Sequence, residues 1–249
     1  MSDTTETGPV EIPDPPNLAQ EPTITDLPSG YIYRVTRYAD VILREAFPKS
    51  FKDLVEVLEN FRVSLHDDIV SAGGSKASHT DRFDQSLRAK GWQKRNITIS
   101  RMIDDKLLHA TRGHEIDMFS VGENGDDYPG VALEVEWNNK DPFYDRDLLN
   151  FMALHREGAI GVGIIVTRGP ELQRLITKNV STNSSSRAEK FGTSTTHWNK
   201  LMPRINLGGG GECPLLLIGI EPGRVDGVEE LEKAYSENRV IRPRDYDKI

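Results

Sequence analysis

Between positions 160 and 167 the chain reads Ile-Gly-Val-Gly-Ile-Ile-Val-Thr, without a single charge. A run this short, β-branched and punctuated by glycine is a strand buried on both faces, and such strands lie in sheets covered by helices on each side. A second run of the same kind spans 214–221. The clearest alternating strand is 130–137, where Val131, Leu133, Val135 and Trp137 interleave with Ala132, Glu134 and Glu136. A helix over about 144–157 separates it from the first run. That strand–helix–strand unit is predicted to be a parallel, right-handed crossover.

The remaining pattern extends this sheet. Positions 96–100 and 114–119 are strand candidates, and 122–127 is a turn. Upstream, Phe51, Leu54, Val55 and Leu58 recur at helical spacing behind the capping-box pair Ser50 and Asp53. A second amphipathic helix is predicted over 76–90, with Phe83 and Leu87 inward and Gly91 closing it. Further helices are predicted after Pro170, over 195–204 and near the C-terminus. Helices, then strands, then strand–helix–strand describe an α/β fold, a central mixed β-sheet flanked by helices.

Charge divides the chain into parts. Residues 1–30 hold six acids and no Lys or Arg, and are predicted to be a disordered acidic leader. Residues 31–249 are predicted to form one domain, with its core at about 95–222. The formal net charge of −8 argues against a simple electrostatic nucleic-acid binder. Without the leader, however, 31 basic residues face 33 acidic ones, and 71–112 carries nine Lys or Arg against four Asp. Such polarity is compatible with a nucleic-acid face. One cysteine, Cys213, excludes an intrachain disulfide and a cysteine-rich zinc site. The sequence has no apolar run of membrane-spanning length and no secretory pattern, so a cytoplasmic location is expected. There is no phosphate-binding GxxxxGK[ST] loop, GxSxG elbow or HExxH helix.

Glu134 and Glu136, two apart on a strand, leave the same face. Two carboxylates there repel unless a cation or proton lies between them. Asp117 precedes Glu134 across the 122–127 turn, and an antiparallel hairpin would bring the two side by side. Three oxygen-donor side chains make a hard-cation site suited to Mg²⁺ and not to zinc. Mg²⁺ beside a basic surface points to phosphodiester hydrolysis. The bland alternative is that Glu-Val-Glu is the wet face of an edge strand.

Asp117, then Glu134-Val-Glu136, then a helix and a buried strand resemble the PD-(D/E)xK nuclease core, with Glu136 in place of Lys as in the BamHI-type E-x-E variant. More specifically, several blocks resemble the BglII-like type II restriction endonucleases in order and character. They are His114-Glu-Ile-Asp-Met-Phe119, Leu133-Glu-Val-Glu-Trp-Asn138, Gly163-Ile-Ile-Val-Thr-Arg-Gly169, Asn183-Ser-Ser185, the block from Phe191 to Leu201 and the strand Cys213 to Ile220. The resemblance implies a homodimer that cuts both strands of duplex DNA at a short palindrome using one or two Mg²⁺ per site, with a cognate methyltransferase protecting host DNA. It implies Asp117, Glu134 and the Val135 carbonyl as metal ligands and Glu136 as the residue acting on the attacking water. The family's extra upstream ligand has only candidates here: Asp104, Asp105, Glu56 and Glu59. A GATC-centred hexamer is the analogous target.

DNA contacts are expected from three segments. Asn138, Asn139 and Lys140 follow the catalytic strand, where they reach base edges or phosphates or simply form a turn. Asn183, Ser184 and Ser185 occupy a polar loop suited to base edges by resemblance, or to a linker. Thr193, Ser194, Thr195 and Thr196 supply more hydroxyls than one helix cap needs; with His197 and Lys200 they read as phosphate or base contacts. The dimer interface is expected among helices within 36–90. The alternatives to a restriction nuclease are a catalytically silent sequence-specific DNA-binding protein and a structure-selective repair or nicking nuclease.

Overall fold

In a computed structural model, the described residues are 17–71, 78–111, 113–122, 126–181 and 191–242. The chain opens with β1 (Tyr31–Thr36), α1 (Ala39–Ala46), α2 (Pro48–Asn60), the two-residue β2 (Val63–Ser64) and α3 (Ser78–Arg88). Strands β3 (Gln93–Ile97), β4 (Ser100–Ile103), β5 (Lys106–Ala110), β6 (His114–Ser120) and β7 (Gly130–Glu136) follow. Then come α4 (Phe143–Arg156), β8 (Ile160–Arg168), α5 (Pro170–Asn179), α6 (Trp198–Asn206), β9 (Leu215–Ile220), β10 (Val225–Asp226) and α7 (Val228–Ser236).

The central sheet has the order β1-β9-β8-β7-β6-β3. Strands β7, β8 and β9 run parallel, whereas β1, β6 and β3 pair antiparallel with their neighbours. It is therefore the mixed sheet predicted. It divides two cores. One gathers Leu43 of α1, Leu54 of α2, Phe83 of α3, Ile176 of α5 and Leu231 of α7 against Leu133 and Val135. The other gathers Tyr144, Leu148 and Phe151 of α4 and Leu201 of α6 against Ala132 and Ile165. Gly163 lets α4 lie close to β8: a Cβ there would stand 2.5 Å from a ring carbon of Phe151.

Every residue of β7 is buried. The alternation of Glu134 and Glu136 with apolar residues therefore marks two different buried faces, not one wet and one dry face. Other boundaries differ too. Strand β1 was not expected; it pairs with β9 along its whole length. The predicted 96–100 strand splits into the end of β3 and the start of β4, and β4 pairs with β5 as a separate exposed ribbon. The predicted 195–204 helix begins later, at Trp198.

Part of the expected disordered leader is packed. Ala19 and Ile24 are buried, Gln20 bridges to Val35, and the Asp40 carboxylate accepts the backbone N–H groups of Thr23 and Ile24. Residues 1–16 lie outside the described residues. No helix among the described residues is long and apolar enough to cross a membrane.

Candidate active site

The register Met118↔Leu133, Phe119↔Ala132 and Ser120↔Val131, continued one step, sets Asp117 directly opposite Glu134. Directly opposed residues share a face, here the face covered by α4. The Asp117 backbone N–H donates to Glu134 Oε1 at 3.3 Å. The hairpin predicted from sequence thus does juxtapose these two acids. Glu136 lies two residues farther along β7, and all three side chains line one cavity of about 460 Å³.

A fourth carboxylate comes from α4. Asp147 is 1% exposed, beside Glu134 and Glu136, each 2% exposed. Burial, then the Asp117 charge, pushes the Glu134 carboxyl well above its ordinary range. Burial and the facing Asp147 carboxyl push Glu136 upward, against a hydrogen bond from Asn139 that favours its charged form. Asp147 is raised by burial and held back by Arg146. Asp147 Oδ1 accepts from Arg146 Nε at 2.8 Å, whereas Oδ2 is buried with no hydrogen-bond partner. Sequence reading missed Asp147. The available signal was an acid next to Leu148 within the inward stripe of Tyr144, Leu148 and Phe151.

The end of β7 is fixed by short polar contacts. Thr167 Oγ1 donates to the Glu136 carbonyl at 2.7 Å and also pairs with the Tyr144 hydroxyl at 2.7 Å. Asn139 Nδ2 donates to Glu136 Oε2 at 2.9 Å. Val135 points into the opposite core between the two glutamates.

The segment after β7 is laced to the segment before α6. Thr196 N–H donates to the Asn139 carbonyl, Asn139 N–H donates to Thr196 Oγ1, and Asp141 N–H donates to the Ser194 carbonyl. Lys140 and Thr195 form an isolated antiparallel bridge. Arg168, at the end of β8, clamps this strap: its Nη2 donates to Thr195 Oγ1 and to the Thr196 carbonyl, both at 2.7 Å. The guanidinium is fully buried near the Trp137 and Phe191 rings, and burial lowers it to about 9.

The expected DNA contacts divide accordingly. Asn139, Lys140, Thr193 and Ser194 are exposed, and Asn138, Thr195 and Lys200 are half-buried. Thr196 and His197 are buried, and Thr196 Oγ1 is engaged in the strap. Burial and the nearby Arg168 and Lys200 charges lower His197 to about 4, so it is neutral near pH 7. Lys200 faces Asp141 at 3.6 Å. Asn183, Ser184 and Ser185 lie outside the described residues.

The upstream ligand candidates are elsewhere. Asp104 and Asp105 form the exposed turn between β4 and β5, both at positive φ. Glu56 pairs with Lys90, and neither Glu56 nor Glu59 lines the carboxylate cavity.

A hard divalent cation suits this donor set, which offers carboxylate oxygens and no sulfur or imidazole. The crowding that holds Glu134, Glu136 and Asp147 above their ordinary range is what a bound cation would relieve. Among the described residues, however, no three His, Cys, Asp or Glu side chains close on a single point. The carboxylates stand instead as two facing pairs, Asp117 with Glu134 and Glu136 with Asp147.

A family model described as restriction endonuclease BglII/BglIII matches residues 31–220. No curated protein matches the chain.

Proposed function

The chain belongs to the BglII/BglIII restriction endonuclease family, and on that premise we propose that it is a Mg²⁺-dependent type II enzyme that hydrolyses both strands of duplex DNA at a short palindrome. The observation that carries this reading is the single cavity that Asp117, Glu134 and Glu136 line, at the end of a strand that continues into exposed Asn139 and Lys140.

Asp117 and Glu134 would hold the cation, with the Val135 carbonyl as a further oxygen. When bound, Mg²⁺ supplies positive charge against the phosphoryl group and acidifies water. Glu136 would take a proton from the attacking water at Oε1, because Oε2 is engaged by Asn139. Tyr144 and Thr167 keep that strand end from shifting. Asn138, Asn139, Lys140, Thr193 and Ser194 would contact the duplex, and Thr195, Thr196, His197, Lys200, Asn183, Ser184 and Ser185 remain DNA-contact proposals from sequence. One active site cuts one strand, so a two-fold dimer suits a palindrome. In a cytoplasmic restriction–modification pair, the partner methyltransferase would modify the same site.

A digest of phage DNA with and without Mg²⁺, with the fragment ends sequenced, tests this reading. Discrete fragments with one shared end sequence, formed only with Mg²⁺, are expected. Binding without cleavage would mean a silent DNA-binding protein. Nicks confined to one strand would mean a nicking nuclease.

A further inference from the structure

The carboxylate cavity poses a charge problem. Glu115, Asp117, Glu134 and Glu136 line it, and Glu115 is paired to Lys94 at 2.7 Å. A phosphodiester carries its own negative charge into this space. Among the described residues lining the cavity, Arg146 is the sole cation.

Its placement is not explained by helix stability. Arg146 sits four residues into α4, where the helix dipole disfavours a positive charge. Its guanidinium lies over the Phe143 ring, 4.6 Å from the centroid, and the side chain remains 54% exposed. Nε donates to Asp147 Oδ1, Nη2 pairs with the same oxygen at 2.7 Å, and Nη2 stands 3.9 Å from Glu136 Oε1. Nη1 has no hydrogen bond among the described residues. An aromatic floor and a buried carboxylate thus fix a planar fork beside the acids, with donors to spare. Such a fork matches the oxygens of a phosphodiester. Strand β7 carries no Lys or Arg, so no cation reaches this space from it.

We propose that Arg146 is a catalytic residue that grips a non-bridging oxygen of the scissile phosphate, and that Asp147 is the positioning residue that holds it there. This rests on the nuclease reading. Arg146 neutralises part of the charge that builds on the phosphoryl oxygens as water attacks, and the proton inventory of the reaction is unchanged. The competing account is that Arg146 only screens buried Asp147.

The test uses full-length protein and a duplex carrying the site read from the digest ends. If the wild type cleaves nothing with Mg²⁺, the nuclease reading itself fails. If it cleaves, Arg146→Gln is expected to slow single-turnover cleavage by about 100-fold or more, with Arg146→Lys recovering part of that loss. Binding is then measured with Ca²⁺ in place of Mg²⁺, on duplexes whose scissile phosphate is either native or a neutral methylphosphonate. Neutralisation is expected to weaken the wild type by several-fold more than it weakens Arg146→Gln. Equal responses of the two proteins, or an Arg146→Gln rate within about threefold of the wild type, would overturn the proposal. If Arg146→Gln does not fold, Arg146→Lys takes its place. A Lys variant that cleaves and responds to neutralisation like the wild type would then show that the fork is not used.

Discussion

Glu136 and Asp147 come from different elements, a central strand and the helix that covers it, yet their carboxyls face one another in a nearly solvent-free space. Arg146 offsets part of the cost of charging Asp147, and charging both acids at once is costly without a further positive charge.

That cost sets a pH dependence. Burial raises Glu134, Glu136 and Asp147, so each binds a proton more tightly in the folded chain than in the unfolded one. Such a group stabilises the fold fully below its unfolded pKa, and the contribution is lost as pH rises through the folded value. For Glu136 that window runs from 4.5 to about 8, and Glu221, raised by burial to about 7, acts in the same direction. His197, lowered from 6.5 to about 4, opposes the trend only below its unfolded value. The metal-free melting temperature is therefore expected to fall between about pH 6.5, above which His197 no longer opposes, and about pH 8, since a tenfold difference in proton affinity between folded and unfolded chain is worth about 1.4 kcal/mol. Glu136→Gln should flatten that slope, and added Ca²⁺ should offset it. A melting temperature that climbs over this interval contradicts the argument.

Glu134→Ala should abolish cleavage, by about 1,000-fold or more, while leaving duplex binding within about tenfold. Gel-shift and single-turnover assays on the same DNA separate the two effects. Loss of binding equal to the loss of cleavage would mean that Glu134 shapes the DNA surface instead.

Thr196→Val keeps the shape of the strap and removes the acceptor for the Asn139 N–H. Because water can reach the freed N–H, loss of the bond should cost about 1 kcal/mol of stability. Because Asn139 also holds Glu136 Oε2, cleavage should slow by about 10- to 100-fold even where the protein is fully folded. Chemical denaturation and single-turnover rates measure the two effects separately. An unchanged rate would uncouple the strap from Glu136.

Gly163→Ala places a Cβ 2.5 Å from Phe151 and 3.0 Å from Leu215. Overpacking between β8 and α4 should cost about 1–3 kcal/mol, or roughly 2–10 °C in melting temperature. A variant as stable as the wild type would show that α4 can move away from the sheet.

The part of the site built from one hairpin was legible in sequence. Asp117 and Glu134 are related by counting through a turn, and strand periodicity places Glu136 on the same face. Asp147 and Arg146 were not legible, because their approach depends on how α4 rotates over the sheet, which three-dimensional packing sets. Strand β1 escaped notice because its partner, β9, lies at the far end of the chain. Asp104 and Asp105 attracted attention as acids, whereas their work is conformational: they turn the β4–β5 ribbon in the left-handed region that Asp tolerates better than most residues. The hydroxyl run has a structural role that sequence did not disclose. Thr195 and Thr196 make hydrogen bonds with Arg168 and Asn139 that tie this run to the end of β7.

Strand β7 has no residue at the surface. Any replacement within it, including at the two glutamates, is at once a change of reactivity and a change of interior packing. A variant made to silence the chemistry must therefore be judged on its melting curve before its turnover is interpreted. Where an amide replaces a crowded acid, the inactive protein should outlast its parent on heating.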